Sequence, residues 1–136
     1  MKQQHLITAL IILTMAVTAG SAPSPEIAIT GKASYYTEWS CKREGTSGIW
    51  TASGARFSDS SMTCALPKAI AKSMNIKYGA KVRVTNLDTG ATVTLVYNDR
   101  GPAAWTGCVI DLTQRAFEEL GGKLKDGKIN VKVMAI

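Results

Sequence analysis

Along most of its patterned stretches the chain alternates apolar and polar positions with the period of a β-strand, and helical spacing shows only briefly. Ile27 to Thr37, rich in β-branched and aromatic residues around Gly31, predicts a first strand. Glu38 to Asp59 follows neither period and carries Gly45, Gly48 and Gly54 among Ser and Thr, so it predicts a long ordered loop with a short extended segment at most. Met62 to Leu66 predicts a short strand, and Pro67 opens a helix to about Met74 with Ile70 and Met74 on one face. Lys81 to Asn86 and Ala91 to Tyr97 alternate on either side of Leu87-Asp88-Thr89-Gly90, which predicts a β-hairpin. Val109 to Leu112 is a further short strand, and Thr113 caps a helix that runs to Leu120 and stops at Gly121-Gly122. A final strand follows from the alternation of Ile129, Val131 and Val133 with polar neighbours. Short strands with small helices and one decorated loop predict a mainly β, compact barrel with helical insertions. A faint echo between Gly79-Ala80-Lys81-Val82-Arg83-Val84 and the stretch Gly127 to Val133 hints at two related halves.

One long apolar run, Leu6 to Val17, stands outside this pattern, with Lys2 before it and Gly20-Ser21-Ala22 after it. It reads as a secretory signal over residues 1–22, cleaved after Ala22, because it is shorter than the roughly 20 apolar residues that a spanning helix needs. Residues 23–30 then form a linker and 31–136 a single domain. No membrane anchor is expected after cleavage, since the first cysteine is Cys41 and no lipid-bearing cysteine follows the cleavage site. The product is expected to be secreted or periplasmic. Cys41, Cys64 and Cys108 would then meet an oxidising compartment, where one disulfide is expected, three pairings are open and one thiol is left over. The domain is expected to be a monomer, with a disulfide-linked dimer open through the odd cysteine.

The formal charge of +6 points to an anionic partner, but no nucleic-acid recognition motif accompanies it and the basic residues are spread along the chain. His5, the only histidine, leaves with the signal. That excludes a His-dependent triad or a His-rich metal site, and neither metal nor cofactor is expected. Chemistry must rest on other groups. Val93, Leu95 and Tyr97 share one face of their strand, and Asp99 is the next residue of that parity. Asp99 either ends the strand in an Asx-turn before Gly101-Pro102 or serves as a general acid/base at the mouth of the barrel. Asp111 either favours the nearby helix N-terminus or faces the same cleft. Tyr35, Tyr36, Trp39, Trp50 and Trp105 offer either stacking surface for sugar rings or packing.

Gly31-Lys32-Ala33-Ser34-Tyr35-Tyr36, Thr51-Ala52-Ser53-Gly54, Asn98-Asp99-Arg100-Gly101-Pro102 and Ile110-Asp111-Leu112-Thr113, taken in order, resemble the RlpA-like (rare lipoprotein A) family. The resemblance runs from Gly31 to about Val133 and implies a six-stranded double-psi β-barrel with two or three short helices. The stretch Asp111 to Val133 is also similar to the barrel of bacterial expansins, and Cys108 before Ile-Asp-Leu is similar to the barwin branch. The RlpA-like resemblance implies lytic transglycosylase action on peptidoglycan glycan strands, or a related anionic wall glycan, with Asp99 as the single acid/base. Asp111 stands beside it as a second catalytic candidate, and Ser34, Tyr36, Arg100 and Trp105 are the substrate-binding candidates. Ala55 and Leu66 stand where enzymes of the family carry Glu and His, and Pro67 to Ile76 resembles an insertion of the expansin and barwin type. The same residues therefore also fit non-catalytic wall loosening of expansin type.

Overall fold

The computed structural model describes residue 20 and residues 26–43 and 49–136; the expected signal, Gly20 aside, and Pro23 to Pro25 lie outside the described residues. Six strands carry the fold: β1 (Ala28–Tyr36), β2 (Thr63–Leu66), β3 (Lys81–Asn86), β4 (Thr92–Arg100), β5 (Cys108–Thr113) and β6 (Ile129–Ala135). Three short helices join them: α1 (Glu38–Arg43), α2 (Lys68–Ser73) and α3 (Gln114–Glu119). The strands hydrogen-bond in the order β1-β5-β2-β4-β3-β6 and close into a barrel, with β1/β5 and β2/β4 parallel and the other pairs antiparallel. Exchanging each strand of the first half for its counterpart in the second (β1 with β4, β2 with β5, β3 with β6) leaves this order unchanged. The faint echo falls on two such counterparts, β3 and β6, which pair Val84 with Val133.

Alternation explains the core. Val82 and Val84 of β3, Leu95 of β4, Ile110 and Leu112 of β5, and Val131 and Val133 of β6 are fully buried, while intervening residues reach solvent. Full burial of such a side chain contributes about 1.5–3 kcal/mol, so these stripes dominate the stability of the closed sheet. Phe117 of α3 and Leu120 at its C-terminal end close one side of the core, and Thr113 caps that helix by accepting from the Ala116 N–H. Asn86 continues the buried stripe of β3 as a polar residue, but its amide is satisfied. It donates to the Leu120 carbonyl at 2.8 Å and accepts from the Asp88 N–H at 2.9 Å, tying the hairpin turn to the end of α3.

Several expectations change. The segment Glu38 to Asp59 is not loop throughout, because its first six residues form α1. That helix buries none of its residues, so no hydrophobic period marks it. It is held instead by reciprocal bonds between Thr37 and Ser40, and by the Glu38 N–H donating to Asp59. Strand β1 takes in Ala28 to Thr30, as the strand expected over Ile27 to Thr37 has it and against the linker bound at residue 30, because they pair with Met134, Val133 and Lys132. Strand β4 runs three residues past Tyr97, since beyond the hairpin it gains β2 as a parallel partner. Among the described residues no helix is long and apolar enough to cross a membrane.

Both parallel pairs are irregular. Opposite Lys32-Ala33 the register of β5 steps from Cys108 to Ile110, so Val109 bulges, and opposite Cys64-Ala65 that of β4 steps from Tyr97 to Asp99, so Asn98 bulges. A Cβ at Gly31 would lie 2.5 Å from Val109 Cγ1, so only glycine lets β1 lie against the first bulge.

Candidate functional site

These bulges re-aim the residues that follow them, and those residues include both aspartates. The register puts Ser34 of β1 beside Asp111 of β5, Asp111 beside Ala65 of β2, and Ala65 beside Asp99 of β4. The four residues form one row across four neighbouring strands. A single methyl side chain separates the two carboxylate-bearing positions, whose Cα atoms stand two strand spacings apart, about 10 Å. All four residues line one cleft of about 590 Å³.

Asp99 is held by three donors. Its Oδ2 accepts from the Tyr36 hydroxyl at 3.0 Å, and its Oδ1 from the Ala52 N–H at 2.8 Å and the Arg100 N–H at 2.9 Å. Thus Arg100 meets Asp99 through its backbone, and it also lines the cleft. Asp111 Oδ1 accepts from Ser34 Oγ at 3.1 Å and lies within β5, while the cap of α3 is Thr113. Both aspartates therefore line the cleft rather than ending a turn or capping a helix. Tyr36 also stacks on Phe57, with ring centroids 4.5 Å apart, which fixes the ring that aims its hydroxyl.

Burial, and then the charge of Asp99, push the Tyr36 phenol far above its ordinary range. It keeps its proton and acts as a fixed donor to Asp99. Cys64, buried beside this network, has its thiol pushed up by burial and then by Asp111, which leaves it an inert packing group. The raised Tyr36 value has a measurable consequence. Stability held by the protonated phenol is fully present below the unfolded value of about 10 and is lost as pH rises above it, because only the unfolded chain can then ionise there. In urea titrations between about pH 10.5 and 12, Tyr36→Phe is expected to lessen the alkaline loss of stability by up to roughly 1.4 kcal/mol per pH unit. An alkaline slope identical in the two proteins would refute it.

Aromatic residues flank the cleft. Trp50 and Trp105 line it and are 55% and 88% exposed, whereas Trp39 stands away from it with the Arg43 guanidinium 4.6 Å from its ring centre. Tyr35 belongs to packing: its ring centroid lies 4.8 Å from that of Phe117, and its hydroxyl donates to the Leu124 carbonyl. The sequence did not single out Ala65, the spacer between the carboxylates, or assign a role to the Ala52 N–H. The Thr-Ala-Ser-Gly stretch was visible, but only folding brings it 47 residues along the chain to Asp99.

Cys64 and Cys108 are buried and Cys41 is half-buried. Register rules out the Cys64–Cys108 pairing: Cys64 is opposite Leu112, four positions along β5 from Cys108, about 13 Å at 3.3 Å per residue. A disulfide requires Cα atoms within about 7 Å. Cys41 sits on α1 at the cleft. Among the described residues no cluster of metal-ligating side chains occurs.

Comparison with known proteins agrees with this geometry. A probable endolytic peptidoglycan transglycosylase RlpA from Nostoc sp. is 37% identical over 100 residues, 74% of this chain, yet the chain spans only 24% of that protein's length. Among solved structures, the Streptomyces papain inhibitor superposes with a TM-score of 0.58 at 24% identity, covering 81% of this chain and 94% of the inhibitor. The Clavibacter michiganensis expansin superposes with a TM-score of 0.56 at 21% identity over 81% of this chain and 50% of its own. These two likenesses show the fold, a double-psi β-barrel. Residues 28–133, which contain every strand from β1 to β5 and most of β6, match the family model described as lytic transglycolase, and the chain belongs to that RlpA-like family.

Proposed function

We propose that the protein binds and remodels peptidoglycan glycan strands outside the cytoplasm, as a lytic transglycosylase with Asp99 as its single acid/base. The observation that carries this reading is the Ser34-Asp111-Ala65-Asp99 row with the Tyr36 hydroxyl seated on Asp99, in a cleft flanked by exposed tryptophans. In the first step the Asp99 carboxylic acid donates its proton to the glycosidic oxygen as the C1–O bond breaks. The resulting carboxylate then takes the proton of the muramic acid's own C6 hydroxyl as that oxygen bonds to C1. A 1,6-anhydro end is left, no water is consumed and Asp99 is reprotonated, so one carboxyl group suffices where hydrolases need two. Tyr36, Ala52 and the Arg100 N–H orient Asp99; Asp111 and Ser34 stand two and three strands along the row from it, able to hold sugar hydroxyls. Trp50 and Trp105 offer faces for sugar rings, and Arg100 lines the cleft beside them.

A second reading, wall binding and loosening without bond cleavage, is favoured by two positions. Ala55 is exposed and Leu66 wholly buried, so neither restores the carboxylate or imidazole that family enzymes place there. The test is direct. Purified protein incubated with peptide-stripped strands is expected to release 1,6-anhydromuramyl products detectable by mass spectrometry. Sedimentation with sacculi and no such products would establish the binding reading instead.

A further inference from the structure

A second hollow, of about 480 Å³, lies beside the cleft and differs from it in charge. Lys68 and Lys72, one turn apart on α2, face it together with Lys77 and Arg100, over the rings of Tyr78 and Tyr97. Two features of the chain build it. Asn75, at φ 54°, turns the backbone after α2 so that Lys77 comes back towards Lys68 and Lys72. Tyr97, buried in β4, forms the floor, and Tyr78 packs on it with ring centroids 4.9 Å apart. No carboxylate lines the hollow, and the ion pair among the described residues, Arg115 with Glu119, lies elsewhere. Like charges one helical turn apart repel, so this convergence is unfavourable until an anion neutralises it.

Arg100 lines both hollows. The two hollows therefore meet at Arg100, next in sequence to Asp99, and a chain molecule bound at Asp99 can extend past Arg100 towards the lysines. We infer that the Lys68-Lys72-Lys77-Arg100 hollow is an anion subsite that takes a carboxylate substituent of the glycan strand held in the cleft. The segment Pro67 to Ile76, which resembled an insertion, supplies two of its lysines. This inference rests on the glycan reading of the cleft and names the charged form of the strand that it selects.

The test compares peptide-stripped strands whose muramic carboxylates are free with the same strands after amidation by methylamine. Wild type is expected to bind the free-acid strands about ten-fold more tightly in low salt, and to lose that preference as salt is raised. Lys68→Gln/Lys72→Gln/Lys77→Gln, all exposed positions, is expected to bind both strands as weakly as wild type binds the amidated one, with unchanged circular dichroism and melting temperature. Equal binding of both strands by wild type, or a preference that survives in the triple variant, overturns the subsite and leaves the cleft reading standing. Failure of wild type to bind either strand overturns both.

Discussion

Asp99→Asn is expected to lower the rate of 1,6-anhydromuramyl release from peptide-stripped strands by about 10²–10⁴-fold, the usual contribution of a positioned general acid/base. Asparagine keeps the shape: its Oδ1 can still accept from the Ala52 and Arg100 N–H groups, while its Nδ2 replaces the oxygen that accepted from Tyr36 and can only donate to that hydroxyl, so two of the three orienting bonds survive unchanged and the third reverses direction. What it lacks is a proton to give to the glycosidic oxygen and a carboxylate to take one from the C6 hydroxyl. Sedimentation of the variant with sacculi should match wild type, which separates lost chemistry from lost binding. Product release at the wild-type rate would remove Asp99 from its role. A companion change, Tyr36→Phe, leaves the carboxyl group in place and removes one of its three donors, so its effect on the rate should be much smaller.

Phe117→Ala is expected to cost about 3–5 kcal/mol of folding stability, read as the shift in urea midpoint at constant m-value. The ring is fully buried, packs against Tyr35 and closes the barrel under α3. Its surroundings have little room to adjust. A Cβ at Gly122 would lie 2.4 Å from the Phe117 ring, so the chain already follows the ring's contour as it leaves α3. Truncation therefore leaves a cavity that the neighbouring backbone fills poorly. A loss below about 1 kcal/mol would show that α3 contributes little to the closed core. Because Tyr35 is adjacent to Tyr36 on β1, the same variant should also loosen the strand that aims the Tyr36 hydroxyl at Asp99.

The two substitutions probe parts of the molecule that were unequally legible. Phe117 and its helix could be read locally: Thr113 is a capping residue, Gly121-Gly122 a stop, and the barrel strands show their alternation in sequence. Helix α1 could not be read that way, since it buries nothing and depends on the bonds between Thr37 and Ser40 and on distant Asp59. Asp99 was found by extending the parity of Val93, Leu95 and Tyr97, but the bulge at Asn98 interrupts that parity, and it is the bulged register that sets Asp99 beside Ala65. Of the disulfide pairings expected from three cysteines in an oxidising setting, register excludes Cys64 with Cys108. Cysteine counting cannot see that Cys64 and Cys108 are out of register.

By itself the sequence determined the strands, two of the three helices, the β-barrel class and the family, together with the two aspartates as the main candidates for chemistry. These depend on side-chain period, caps and motif order, all of which are local properties of the chain. Tertiary structure alone decided that Ser34, Asp111, Ala65 and Asp99 form a single row, that the Ala52 N–H and the Tyr36 hydroxyl hold the Asp99 carboxylate, and that basic residues scattered through the sequence gather as Lys68, Lys72, Lys77 and Arg100. The reason is physical. Such juxtapositions follow from strand register, two bulges and closure between segments far apart in sequence, and a one-residue slip in any of them would turn the same side chains to another face.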